Sequence, residues 1–431
     1  MFTVSKKTII GGAIGNALEM YDYVIWGLFS VYLSKAFLPP NSKLSDIFFL
    51  FLLTYILRPI GSLIGGVLAD QLGRKKILTL SIFLMGICTS IVGILPTYSH
   101  MGVTTIFLLL FIRVIQVLAV SSEYISSIAL LIENCPPKKR GYFGSWAAFG
   151  VNAGVLAASL FGALILYLID LNILPEWGWR LAFIVAFLTM LIGFWIRSSL
   201  PESLEFIAAN ARHEKRAFLD VMYEALTIFK SQTFTTLLVF SLVCFGVSTT
   251  ILVFIYAPIH ISTINHIHNT QSFIINSISL TLLVLLIPVF GIVSDSLGRV
   301  KTILIGCITI SLLSLPYFNI LSSSNFYQIL LAHTFIAIPC ASIFAVTPVL
   351  ITEIFPLSIR CSITNLIYSL AACIGGGITP LIAFKLVPYG SNFPGLILVL
   401  LGGINVLFMG LYLKKNCGAG LNSHLKLQKN I

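Results

Sequence analysis

Long apolar runs separated by short polar or basic turns organise the chain from end to end. Twelve runs stand out, at residues 9–34, 47–69, 77–95, 104–131, 143–169, 180–198, 233–261, 273–294, 302–321, 326–352, 361–386 and 393–413. A bilayer core about 30 Å thick needs roughly 20 apolar residues per helix. Each run therefore predicts a membrane-crossing helix, span 1 to span 12. Between the sixth and seventh lies a polar stretch, 199–232, with amphipathic character (Leu204, Phe206, Ile207, Phe218, Leu219) and mixed charge. That pattern predicts short interfacial helices joining two halves. The expected fold is an all-α integral membrane protein of two pseudo-symmetric six-helix bundles. Its parts are residues 1–198, a linker at 199–232, residues 233–414 and a short tail at 415–431.

Composition sharpens this. Of 431 residues, 58% are hydrophobic and 10% charged, against about 45–50% and about 25% in soluble proteins. A soluble globular enzyme is excluded. The net charge is +11, but the bases sit in short loops rather than on one face, which speaks against nucleic-acid binding. With the N-terminus in the cytoplasm, twenty of the 26 bases fall on the cytoplasmic side. The positive-inside rule then puts both termini inside. The expected location is the cell (inner) membrane, multi-pass, as a monomer. The first span carries Glu19 and Asp22 and lacks a small-residue cleavage site, so it is expected to be kept. Eight cysteines include no CxxC pair, which predicts no zinc site, redox motif or disulfide framework. No metal or other cofactor is expected, and no Walker motif suggests an ATP-driven pump.

The halves repeat each other. Gly66, Asp70, Gly73 and Arg74, between spans 2 and 3, recur 225 residues later as Gly291, Asp295, Gly298 and Arg299. Glu133, Pro136 and Arg140, after span 4, recur at an offset of 220 as Glu353, Pro356 and Arg360. Such repeats indicate duplication, with a binding site between the halves near the midplane.

At these residues the chain resembles the major facilitator superfamily over nearly its whole length. Within it, the chain is similar to the metabolite:proton symporters, which include proline/betaine, α-ketoglutarate, citrate and shikimate carriers. Gly15–Glu19 with Tyr21-Asp22, Arg58-Pro59-Ile60-Gly61 and Asp70–Lys76 carry the likeness. So do Arg113-x-x-Gln116, Glu123-Tyr124, Arg140-Gly141 with Gly144-Ser145-Trp146, Trp177–Arg180 and Pro201-Glu202-Ser203. The chain departs at Gln71, where the family has a base, and at Ser121-Ser122, where it has Gly-Gly. The resemblance implies a major facilitator fold and proton-coupled metabolite uptake, with no cofactor beyond the proton gradient.

Five ionisable groups lie inside first-half spans: Glu19, Asp22, Arg58, Arg113 and Glu123. Each costs about 2.5–3.5 kcal/mol at a helix centre. They must face a wet cavity or one another. The chief second-half counterpart is His333, 220 residues after Arg113. Glu19 and Asp22 stand about 60° apart on their helix. Arg113, Gln116 and Glu123 share a sector of about 80° on span 4. Apolar surroundings favour a protonated carboxyl and a nearby arginine favours a charged one. A carboxyl alternating between them loads and releases a proton. Asp22 or Glu19 is the expected carrier, Arg113 its switchable partner, and Glu123 a further member of the set. A static bridge between spans 1 and 4 is the alternative.

Arg58 and Arg113 are candidates for gripping a substrate carboxylate. Tyr23, Trp26 and Trp146 are candidates for caging a quaternary ammonium. Gln116 and His333 complete the expected substrate-binding set. Asp70, Gly73, Arg74, Asp295, Gly298, Arg299, Glu133, Arg140, Glu353 and Arg360 read as gating latches on the cytoplasmic side. His260, His266 and His268 read as incidental in a polar extracellular turn, with no carboxylate nearby to complete a ligand set. Gly375-Gly376-Gly377 and Gly11-x-x-x-Gly15 read as helix-packing or flexing elements. The leading function is symport of a small polar metabolite such as a zwitterion or carboxylate. The alternatives are a proton-driven exporter of the same fold and a nutrient sensor. Span 5 lacks the Gly-Pro pair found in exporters, which favours uptake.

Overall fold

The computed structural model describes residues 6–72, 74–121, 123–133, 135–198, 227, 231–264, 268–323, 325–355 and 360–418. Helices occur at all twelve apolar runs, and no strand occurs among the described residues. Nine helices there have the length and apolarity to cross a bilayer, and a shorter apolar stretch covers Thr79–Ile94. Their outer faces carry large exposed apolar side chains such as Trp195, Leu312 and Leu400, as lipid contact requires. The linker 199–232 lies almost wholly outside the described residues.

Several spans are broken where the sequence suggested continuous runs. Span 1 is Lys6–Leu28 followed by Ser30–Phe37. Span 2 is Leu44–Tyr55 and Arg58–Leu72. The ring of Pro59 conflicts with a helical carbonyl four residues back, at Tyr55, so the helix stops and restarts. Span 4 is described as Val103–Val120 and Glu123–Glu133, with Ser121 in a turn and Ser122 outside the described residues. Spans 7 and 11 contain π-helical stretches, Thr250–Tyr256 and Cys373–Ile378, the latter holding the three consecutive glycines. Such wide turns recur at functional sites in helices.

Spans 1 and 5 approach backbone to backbone. A Cβ on Gly150 would strike the Ala13 carbonyl, and one on Gly154 that of Ala17. Small residues four apart permit this approach. Spans 5 (Arg140–Asp170) and 8 (Asn269–Leu297) join the halves along their length. At one end Gly141 packs on Gly291. Midway, Ser159 donates to the Phe273 carbonyl and accepts from Asn276 and Ser277. At the far end Thr270 donates to Asp170.

Candidate substrate cavity and loop network

A cavity lies between the halves. Spans 1, 2, 4 and 5 contribute Met20, Tyr23, Val24, Tyr55, Arg58, Tyr124 and Asn152; spans 7, 10 and 11 contribute a mainly apolar wall with Thr347, Phe344 and Tyr368. A smaller annex shares Tyr23 and Tyr55 with it and is lined by Arg113, Gly376 and Pro380. The restart of span 2 places Arg58 at the head of its second helix, 9% exposed. Its guanidinium lies 5.7, 6.0 and 5.6 Å from the rings of Tyr23, Tyr55 and Tyr368. Among the described residues its Nε has no hydrogen-bond partner, nor has the Thr347 hydroxyl on the facing wall. Arg113 lies 4.7 and 4.9 Å from the rings of Tyr23 and Trp26. The Tyr23 ring is thus shared by both cations.

The sequence-expected residues divide by helical register. Met20, Tyr23, Val24 and Gly27 face the cavity or its annex, the i, i+3, i+4, i+7 face of one helix. Asp22 is buried but turned to span 6, where Thr189 donates to it at 3.2 Å. Trp26 follows it there, edge-on to Phe183. Glu19 is buried, and its charge acts on Arg58 and Tyr368. Gln116 lies behind Arg113, accepting from it at 3.3 Å. Trp146 lies between Tyr142, edge-on to it, and the tilted ring of Phe149, away from the cavity lining. His333 is enclosed, its Nδ1 accepting from Tyr317 at 2.7 Å and its Nε2 3.1 Å from Asn276 Oδ1. The side chain of Glu123 lies outside the described residues.

A second network joins the halves at the loop motifs. The Asp295 carboxylate accepts the backbone N–H groups of Gly141 and Tyr142 at 2.9 Å each, at the start of span 5. It also pairs with Arg299 at 2.7 Å. Glu353 stands between Arg299 (3.5 Å) and Arg140 (4.0 Å). Gly298, at φ +98°, supplies the turn that presents Asp295. Gly73 and the side chains of Asp70, Arg74, Glu133 and Arg360 lie outside the described residues.

The histidines differ from expectation. His260 belongs to the helix Ala257–Ile264, not a turn, and is buried beside Tyr256 and Phe318. His268 does have a nearby carboxylate, Asp170 at 3.2 Å, which folding brings from 98 residues away. His266 lies outside the described residues. Among the described residues no cluster of three metal-ligating side chains occurs.

Comparison with known proteins fits this architecture. The family model described as sugar (and other) transporter matches residues 8–220, and that of the major facilitator superfamily matches residues 238–418. The chain belongs to the major facilitator superfamily. A glycine betaine/proline/ectoine/pipecolic acid transporter of Dickeya dadantii is 29% identical, the match covering 96% of this chain and 84% of its relative. A proline/betaine transporter of Escherichia coli is 27% identical, over 90% and 79%. A solved structure of the E. coli xylose transporter, partially occluded and inward-open, superposes with a TM-score of 0.74 at 20% identity. It covers 94% of this chain and 98% of that one, and shows the shared fold.

For this member of the superfamily, the sequence did not single out Tyr55, Tyr368 or Thr347. All three are ordinary residue types in apolar helices. Only the helix break at Pro59 marked the neighbourhood of Tyr55.

Proposed function

We propose that the chain takes up a small zwitterion or carboxylate together with protons, by alternating access of the central cavity. The observation that carries this reading is Arg58. It is a buried guanidinium on the cavity wall, with an unmet Nε donor and three tyrosine rings around it. A buried donor without an acceptor is costly, and a carboxylate matches guanidinium with two parallel hydrogen bonds. The tyrosine faces and Phe344 suit a cationic or methylated opposite end. The relatives named proline/betaine transporters carry substrates of this class.

Coupling follows from competition for Arg58. Glu19 and an incoming carboxylate both draw on the same cation. Once the substrate engages Arg58, the attraction that favours the charged form of Glu19 weakens and the buried carboxyl takes up a proton. Release of the substrate restores the Glu19–Arg58 attraction and expels the proton. Glu19 is the favoured carrier in this reading, with Asp22 held apart against Thr189 of span 6. Arg113 keeps the annex positive and guides the carboxylate. The proton gradient supplies the energy, without a cofactor.

The remaining organisation is read from the basic loops. The protein acts as a monomer in the inner membrane, with both termini cytoplasmic. Two bundles, 1–198 and 233–414, are joined by the linker 199–232. The Asp295 and Glu353 network then holds the cytoplasmic side shut.

The test is uptake of radiolabelled glycine betaine and proline into proteoliposomes with and without an inward proton gradient. Wild type accumulates at least one of them only with the gradient. Glu19→Gln loses accumulation but keeps substrate counterflow, while Asp22→Asn retains gradient-driven accumulation. Accumulation that ignores the gradient overturns symport. Gradient-driven accumulation by Glu19→Gln overturns the assignment of the carrier.

A further inference from the structure

Among the described residues, span 3 (Arg74–Ile94) contributes none to the cavity or its annex, yet one of its hydroxyls is tied to an annex arginine. Thr89 is fully buried and donates to the Met85 carbonyl at 2.9 Å. Gln116 Nε2 donates to Thr89 Oγ1 at 2.7 Å. Arg113 Nη1 donates to Gln116 Oε1 at 3.3 Å. The chain runs from span 4 to span 3 through groups that are all enclosed.

Its direction is fixed by proton count. A hydroxyl carries one proton, and that of Thr89 goes to the Met85 carbonyl. Towards Gln116 it can therefore only accept. The amide must turn its NH₂ to Thr89 and its oxygen to Arg113. Rotated the other way, the amide NH₂ would face the guanidinium N–H groups, leaving donors opposed in a buried site. The guanidinium edge is held from behind while its cation rests on Tyr23 and Trp26.

We propose that Thr89 is a positioning residue for transport: through Gln116 it sets where the Arg113 guanidinium stands in the annex. This rests on the reading that Arg113 acts on the substrate carboxylate, and the two claims fail separately. A purely structural Thr89 would lower the amount of active protein. A positioning Thr89 alters KM.

The experiment compares Thr89→Val, which keeps the shape and removes the hydroxyl, with Thr89→Ser, Arg113→Gln and the double variant Thr89→Val/Arg113→Gln. The probe is radiolabelled glycine betaine in proteoliposomes. Thr89→Val is expected to raise KM about fivefold, the scale set by one neutral hydrogen bond, with kcat little changed. Thr89→Ser stays within about twofold of wild type, and the double variant is no worse than Arg113→Gln alone. Thr89→Val with unchanged KM, or losses that add in the double variant, overturns the proposal. Arg113→Gln with wild-type KM overturns the underlying reading of Arg113 instead.

A second measurement needs no substrate. In a protein keeping Trp26 as its single tryptophan, the emission of Trp26 reports the cation beside it. Thr89→Val is expected to move that emission towards the Arg113→Gln value, and Thr89→Ser to leave it in place. Emission unchanged by Thr89→Val also overturns the proposal.

Discussion

The Tyr55 ring occupies the space that a side chain at Gly376 would need: its Cζ and Oη lie 2.7 and 2.8 Å from where a Cβ would stand. Gly376 belongs to the π-helical stretch of span 11, so at this point the two halves meet through one ring and one missing side chain. Gly376→Ala must push Tyr55 from its place beside Tyr23, 6.0 Å away, and Arg58. Overpacking of this kind costs about 1–3 kcal/mol. We expect Gly376→Ala to lower the unfolding temperature and cut uptake several-fold. Gly403→Ala in span 12, with open space around it, serves as the control, expected to leave uptake unchanged and not to lower the unfolding temperature. Wild-type uptake by Gly376→Ala would show that the Tyr55 position is not tied to transport.

Arg58 separates charge from geometry. Lysine keeps the charge but not the planar fork that grips both carboxylate oxygens. Arg58→Lys is expected to raise KM about tenfold or more, the scale of one charge-assisted hydrogen bond. Arg58→Gln, which also releases Glu19 from its cation, is expected to abolish gradient-driven accumulation. Transport assays over a range of substrate concentrations separate the two. Equal KM values for Arg58→Lys and wild type would remove Arg58 from the binding site.

Much of the architecture was legible because apolar length is a strong constraint, and a helix appears at every run. The break in span 2 had a signature, Pro59. The π-helical stretches had none, since no residue type marks a wide turn. Spacing placed Glu19 and Asp22 near each other on one helix but could not set the rotation of that helix. The fold turns Met20, Tyr23 and Val24 to the cavity and Asp22 to Thr189. His333 looked like the symmetry mate of Arg113, yet Tyr317 and Asn276 from neighbouring spans enclose it. The partners of Asp295 are backbone N–H groups of Gly141 and Tyr142, and backbone leaves no trace in a residue pattern.

At the opposite end from Asp295, Asp170 of span 5 meets His268 at the head of span 8. The side chains are 34% and 63% exposed, so solvent screens the pair and its worth is about 0–1 kcal/mol. Asp170→Asn and His268→Gln are each expected to lower stability by no more than that. Because they share one interaction, the double variant should lose no more than the larger single effect. Thermal unfolding of the purified protein reads this directly, and additive losses would mean that the two residues act independently.

Cys135, in the turn between spans 4 and 5, reports on the Asp295 network. Burial, with the Asp295 and Glu353 carboxylates opposing Arg140 and Arg299, pushes its thiol up to about 11. Attack on a maleimide requires the thiolate. In a variant keeping Cys135 as its only cysteine, labelling by N-ethylmaleimide should rise about tenfold per pH unit from 7 to 9 without levelling. Asp295→Ala removes both acceptors for the start of span 5, each worth about 1.5–3 kcal/mol. Loosening the network wets the thiol, and deleting the carboxylate removes a charge that opposes the thiolate. Both effects lower the thiol's pKa, so labelling at pH 7.5 should accelerate at least tenfold. A labelling rate unchanged by Asp295→Ala would mean that Asp295 does not hold this side closed over Cys135.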